Sequence, residues 1–428
     1  VVKLLVERFV ARGVYKMKER VAITGIGVVS PCGMKKETFW ANLKRAESFI
    51  DEVKRFDASL YPSRIAGQVH DLDCYSHVSS RLVKKIDVFS HMALVSCEQA
   101  LQDAQVDLNN VDKTRVGVFM GNALGGWLFA ETELRDMYIE GREGVSPYMA
   151  SAWFPAAPQG QITIYYGFKG YSKTIVADRA SSALALWYGA KIIADNKNDY
   201  VLAGGMEAPI TPYALLTANT CGYLSKNNLT PKKAYRPYDL YRDGFVVAEG
   251  SGTVVLEKEE HAKKRSRHIY GYIKGIGVSS DGYHFARAKP DSEHLEYAIK
   301  ACLTDSGWSK KDVDYICLDA EATVMGDYLE ARALNNVFGE DLKNIALSAP
   351  KTIFGNLLGA QTALDLIVTL LSMQHDLIIP TINYDQPDPY CDIKVTPNKP
   401  VERKINKALI IARGRGGINT VLAIENNA

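Results

Sequence analysis

The sequence contains no run of about 20 apolar residues, so it has no stretch able to cross a bilayer as a helix. Its most apolar helical segment, 363–373, is short and carries Asp365. An excess of one charge is also missing. Fifty-one Lys and Arg face 49 Asp and Glu, leaving a net charge of +2 and excluding a polybasic nucleic-acid surface or an acidic tail. None of the seven cysteines forms a CxxC pair, and their number is odd. A disulfide scaffold is therefore excluded, and the expectation is a reduced, cytoplasmic protein with buried thiols. No two of the eight histidines stand at metal-ligand spacing on one helix, so neither metal nor cofactor is expected. What remains is an ordinary globular composition, 47% hydrophobic and 23% charged, in 428 residues. That length suits two or three domains or one duplicated domain.

Residues 1–19 mix Leu, Val and Phe with charges at Lys3, Glu7 and Arg8, which interrupt the apolar core a signal peptide needs. They read as an N-terminal extension able to form a short amphipathic helix. Beyond it the chain repeats itself. Residues 20–31 (RVAITGIGVVSP) and 270–281 (YGYIKGIGVSSD) share G-I-G-V-x-S. Residues 101–112 (LQDAQVDLNNVD) and 303–314 (LTDSGWSKKDVD) echo each other, each ahead of an apolar strand at 116–120 or 315–318. Strand–turn–helix patterns recur at 174–194 and 345–373, and strands at 200–203 and 408–412 each run into glycines. Alternating strands and helices predict mainly parallel sheets covered on both faces. A period near 200 residues is a duplication. The expected halves are 20–260 and 261–428, divided near the charged stretch 257–267.

In such folds a strand-to-helix turn presents its side chains to a helix N-terminus, where backbone amides activate a thiol or hold an oxyanion. The first such turn, 177–182 (ADRASS), has no cysteine, and its central Arg179 cannot be a nucleophile. Ser181 and Ser182 are candidate nucleophiles only if a base adjoins them, and helix capping is the plainer role. The second turn, 319–323, offers Glu321; the third, 351–356, offers Lys351 and Asn356; neither has a histidine. The glycine-rich segment 412–419 (ARGRGGIN) lies between two strands, so it reads as a turn and not as a dinucleotide-binding loop.

At these residues the sequence resembles the thiolase-fold condensing enzymes, the β-ketoacyl-acyl-carrier-protein synthases. The match runs from residue 20 to about 426 and includes 203–207 (AGGME) and 236–250 (RPYDLYRDGFVVAEG). The resemblance implies an α/β thiolase-like fold, a duplicated α-β-α-β-α layering with mixed five-stranded sheets. It also implies a catalytic cysteine and two histidines, and here those places hold Arg179, Glu321 and Asn356. Lys351 matches a retained family lysine. Loss of all three implies a chain that does not condense acyl groups. The strings 125–134 (GGWLFAETEL), 152–164 (AWFPAAPQGQITI), 350–355 (PKTIFG) and 412–419 are similar to chain-length factors, the ketosynthase β subunits of type II polyketide synthases. That subfamily more often has glutamine where Arg179 stands. Arg413 and Arg415 replace the phenylalanines that guard the acyl entrance in the enzymes, which implies a closed, polar pocket in which Arg179 pairs with Glu321.

The resemblance further implies a heterodimer with a catalytic ketosynthase α subunit, served by an acyl carrier protein. The growing polyketide chain would extend through a tunnel at the interface. Side chains of the inactive subunit would end that tunnel, since overfilling a packed space costs roughly 1–3 kcal/mol. The matching gate positions are Trp127, Ala130 and Leu134, whose spacing places them on one helix face, with Tyr213 and Leu215 on a neighbouring loop. Spacing alone would read Trp127 and Leu134 as helix core. The alternative expectation is a repurposed acyltransferase or decarboxylase using Ser181 or Ser182. Arg142, Lys232 and Lys233 read as solvated surface.

Overall fold

A computed structural model describes residues 17, 19–73 and 79–427. The expected helix within residues 1–19 lies almost wholly outside the described residues. Ten strands form the main sheet: β1 (Val21–Val29), β2 (Val116–Gly121), β3 (Lys173–Ile175), β4 (Tyr200–Glu207), β5 (Gly250–Lys258), β6 (Gly271–Ser280), β7 (Tyr315–Cys317), β8 (Ala346–Ser348), β9 (Lys407–Gly414) and β10 (Ile418–Glu425). Their spatial order is β8-β7-β9-β10-β6-β1-β5-β4-β2-β3. Read outward from the centre, β1-β5-β4-β2-β3 and β6-β10-β9-β7-β8 are one topology used twice. In each half the first three strands pair antiparallel and the last three parallel. The halves join through a short antiparallel contact between 21–23 and 271–273.

The helices that position the site are α1 (Val88–Asp103), α2 (Trp127–Glu140), α3 (Ala157–Tyr166), α4 (Ser181–Ala194), α5 (Pro212–Thr220), α6 (Glu293–Ser306), α7 (Val324–Phe338) and α8 (Gln361–His375). α4 and α8 pack against each other between the two half-sheets. α1 and α3 cover one outer face; α6 and α7 cover the other. This is the five-layer α/β thiolase-like fold. α8 is apolar nearly all round and buried from Gln361 to Met373, as a helix sandwiched between two sheets must be. It starts at Gln361, after a short 3₁₀ turn at Leu358–Ala360 that the sequence pattern does not separate from it.

The repeated sequence motifs have a shared cause. A Cβ on Gly27 would lie 1.8 Å from the Ser96 carbonyl of α1, and one on Gly277 would lie 1.8 Å from the Ala298 carbonyl of α6. Only glycine lets each helix backbone lie this close to its strand. The backbone N–H of Ile26 donates to Asp103 Oδ2 at 2.9 Å, and that of Ile276 donates to Asp305 Oδ2 at 2.9 Å. The two echoes seen in the sequence are therefore two sides of one helix–strand contact, built twice.

Candidate active site

β3, β7 and β8 each end in a turn whose backbone includes left-handed residues other than glycine: Asp178 (φ 47°), Ala320 (50°) with Ala322 (57°), and Leu358 (46°). Such conformations cost on the order of 1–3 kcal/mol each and persist where the surroundings over-determine them. The three turns converge, and with β9 they carry Arg179, Glu321, Asn356, Lys351 and Arg413 to one place.

Arg179 is 6% exposed. Its Nη2 lies 3.7 Å from Glu321 Oε2 and 3.8 Å from Asp319 Oδ2, ion-pair distances too long for hydrogen bonds. Its Nε and Nη1 are buried without a hydrogen-bond partner. The guanidinium also lies 5.8 Å from the centre of the Phe245 ring. Burial works against its charge, but Asp319, Glu321 and Asp178 outweigh that and hold its pKa above the ordinary arginine value. Arg413 is tied more tightly. Its Nε donates to Asp319 Oδ2 at 3.0 Å, its Nη1 to the Gly326 carbonyl at 2.9 Å, and its Nη2 to Glu330 Oε2 at 3.4 Å. Asp319 is buried, which opposes ionisation, yet Arg179, Arg413 and Lys351 together keep its carboxyl below the usual aspartate range.

Lys351 is 1% exposed and its Nζ sits 2.9 Å from Asp365 Oδ2 and 3.1 Å from the Asp319 carbonyl oxygen. Burial pulls its pKa down, but Asp365, Cys317 and Asp319 raise it more, so it stays charged. Asn356 is buried; its Oδ1 accepts from the Leu358 amide at 2.9 Å and its Nδ2 reaches Tyr235 Oη at 3.4 Å. Ser181 and Ser182 are fully buried. The Ser181 hydroxyl donates to the carbonyls of Asp178 and Asn122 and accepts from the Ala177 amide, and Ser182 Oγ accepts from the Ala363 amide. Every one of these bonds is to backbone, so both serines build the turn and neither is paired with a base.

Above the cluster lies a cleft of about 450 Å³, lined by Arg179, Glu321, Arg413, Arg415, Tyr223, Asp281, Tyr283 and residues 286–292 among others. It carries charged side chains, though more of its lining surface is apolar than polar, and it is not closed. Tyr283 and Met325 on its rim are more than half exposed, and Arg413 folds inward to Asp319. Arg415 stays at that mouth, its Nη1 3.1 Å from Cys221 Sγ and its guanidinium over Tyr223. The β9–β10 hairpin turns through Gly416 (φ 79°) and Gly417 (83°), where a Cβ would be strained.

The gate candidates separate into two groups. Trp127, Leu134 and Tyr213 line a groove of about 600 Å³ with Tyr61, Glu131, Pro212 and Leu216, and the Trp127 and Tyr213 rings are 5.0 Å apart. Ala130 is buried at 3% exposure and is not part of that lining. Leu215 is wholly buried in a core cluster with Ile65, Phe245 and Val247, and the next residue, Leu216, takes the groove position. Tyr213 and Leu215 lie on helix α5 and not on a loop, and one residue's step around it turns the side chain by about 100°, enough to take it off the groove face. Arg142, Lys232 and Lys233 are exposed.

Sequence reasoning missed Asp319, Glu330 and Glu207. Glu207 is fully buried and accepts from the amides of Ala123, Leu124 and Gly359, and burial pushes its carboxyl up to about 8. The signal was present in each case: an acid at the end of, or inside, an otherwise apolar segment.

A duplicated five-strand topology, with its site where three strand-end turns meet, defines a thiolase-like protein of the condensing-enzyme type. The comparisons agree. Residues 18–262 match the β-ketoacyl synthase N-terminal domain and residues 270–385 its C-terminal domain. The chain belongs to the β-ketoacyl synthase family. It is 36% identical over 408 residues to a 3-oxoacyl-[acyl-carrier-protein] synthase 2 of Coxiella burnetii (strain RSA 493 / Nine Mile phase I), covering 95% of this chain and 99% of that protein. It is 33% identical to the synthase of the same name from Staphylococcus aureus (strain N315), covering 95% and 98%. Among solved structures it is similar to a chain of "AntDE:AntF (apo): type II PKS acyl-carrier protein in complex with its ketosynthase bound to the hexaketide", with TM-score 0.88, 29% identity, and 96% and 100% of the two chains covered. It is also similar to a chain of "The ishigamide ketosynthase/chain length factor", with TM-score 0.90, 25% identity and the same coverage. Among the described residues no helix is long and apolar enough to cross a membrane.

Proposed function

We propose that this chain is the non-catalytic chain-length factor of a type II polyketide synthase. It would pair with a catalytic ketosynthase, meet a carrier-bound chain at their interface, and bound the space into which that poly-β-keto chain grows. The observation that carries this reading is Arg179. Where the resemblance implies a nucleophilic cysteine stands a buried guanidinium beside Asp319 and Glu321, and the two implied histidines are Glu321 and Asn356. Such a site has no thiolate to acylate and no imidazole to assist decarboxylation or stabilise a developing charge. The similarity to chains of a ketosynthase bound to a hexaketide and of a ketosynthase/chain length factor supports the heterodimer. The Trp127–Tyr213 groove is the candidate end stop.

The test is reconstitution with a ketosynthase partner, carrier protein and malonyl thioesters, with product masses as readout. Trp127→Ala should move the products to longer chains, and Arg179→Ala should leave turnover intact. Loss of turnover in an assembled Arg179→Ala complex would mean that the altered site does chemistry and would overturn the reading.

A further inference from the structure

Two carboxylates outside the cluster hold the groove's walls in place. α2 begins at Trp127, and its N-cap, Gly126, has no side chain with which to satisfy the free amides of the first turn. Asp87 does so from 42 residues away. It caps its own helix α1, with Oδ1 accepting from the Phe89 amide at 2.9 Å, while Oδ2 accepts from the Phe129 amide of α2 at 2.7 Å. Asp87 is 2% exposed. The fit is tight: a Cβ on Gly126 would come within 2.8 Å of Asp87 Cβ. One turn further along α2, Glu131 repeats the arrangement toward α5. Its Oε1 accepts from the Thr211 hydroxyl, from the Tyr213 amide at 3.1 Å and from the Ala214 amide at 3.4 Å. A carboxylate suits both places because each helix N-terminus turns N–H donors and the positive end of the helix dipole toward it; at α5 it supplements Thr211, whose Oγ1 also accepts from the Ala214 amide at 3.2 Å.

Asp87 therefore fixes the first turn of α2, which carries Trp127, and Glu131 fixes the first turn of α5, which carries Tyr213. We propose that Asp87 and Glu131 are positioning residues that set the separation of Trp127 and Tyr213, and through it the length of chain the groove admits. This rests on the chain-length reading above. Asparagine at 87 leaves one acceptor oxygen where two amides need one each, and glutamine at 131 leaves a neutral acceptor at a site that receives three donors.

The experiment uses the full chain in complex with its ketosynthase and carrier, fed malonyl thioesters, comparing wild type, Asp87→Asn, Glu131→Gln and Trp127→Ala. Product masses, thermal midpoints and hydrogen exchange of segments 127–134 and 213–216 are read together. The two carboxylate variants should raise the fraction of over-extended products at least about threefold. They should speed exchange by about fivefold, Asp87→Asn at 127–134 and Glu131→Gln at 213–216, the factor that loss of one typical cap implies. A merely structural role would lower the thermal midpoint and leave product masses alone. That result, with Trp127→Ala still shifting the products, overturns the positioning role and leaves the chain-length function standing. If Trp127→Ala also leaves product length unchanged, the function itself falls and the inference with it. Should Asp87→Asn not fold, Glu131→Gln decides through product masses and exchange at 213–216 read together, since a shift in products with α5 exchange unchanged would come from the groove lining and would overturn the positioning role.

Discussion

Replacing Arg413 with methionine separates the two buried arginines of the site. Arg413 makes hydrogen bonds to Asp319, Glu330 and the Gly326 carbonyl, whereas Arg179 has only ion-pair contacts at 3.7 and 3.8 Å. Removing Arg413 leaves two buried carboxylates short of a partner, a loss of about 3–5 kcal/mol. Unfolding entropy of about 2.1 cal/mol/K per residue gives roughly 0.9 kcal/mol/K for a chain of this length, so the midpoint should fall by about 3–6 °C. Arg179→Met loses no hydrogen bond, removes two unpartnered buried nitrogens and leaves Asp319 with Arg413. Its cost should stay below about 2 kcal/mol, or roughly 2 °C. The assay is differential scanning fluorimetry of both single variants and the double variant at pH 7, repeated in acid. Asp319 has a depressed pKa, so its contribution is present above the ordinary aspartate value of 3.8 and is lost as pH falls through the lower folded value. Arg413→Met should shrink that acid-labile part. An Arg179→Met variant as unstable as Arg413→Met would refute this division of roles.

Three other outcomes are expected. Burial pushes the Asp87 carboxyl up to about 6, so stability should increase as pH falls from 7 toward 4, by on the order of 3 kcal/mol from this group; the melting difference between wild type and Asp87→Asn across that window isolates it. Arg179→Cys alone should yield no condensation product by mass spectrometry, because Glu321 and Asn356 supply no imidazole; a turnover approaching that of an active synthase would sink the non-catalytic reading. Gly277→Ala should destabilise by about 1–3 kcal/mol, since its Cβ would meet the Ala298 carbonyl at 1.8 Å and a backbone cannot yield as a side chain does; an unchanged denaturation midpoint would show that the helix–strand spacing is not what these glycines protect.

The sequence by itself was enough to reveal a duplicated α/β chain, because G-I-G-V and the Leu-x-Asp echoes answer a local demand. A helix lying on a strand at backbone distance needs glycine on one side and a carboxylate for the freed amide on the other, and these needs recur wherever the contact does. It also marked the three turns and their substituted residues, since a strand-to-helix turn is read from a short window. The tertiary structure alone decided what those residues meet. Arg179 was legible as a substitution, and its pairing with Glu321 could be anticipated. That Asp319 is shared with Arg413, and that Glu330 completes the set, depends on β3, β7 and β9 ending side by side, which no local pattern encodes. The same holds for the groove. Trp127 and Leu134 follow helical spacing, but whether Leu215 or Leu216 faces them is set by how α5 is rotated against the core, and one residue's rotation of about 100° decides it. Ion pairs and groove walls are long-range consequences of packing, whereas strands, turns and the glycines that let helices lie on them are written into the chain a few residues at a time.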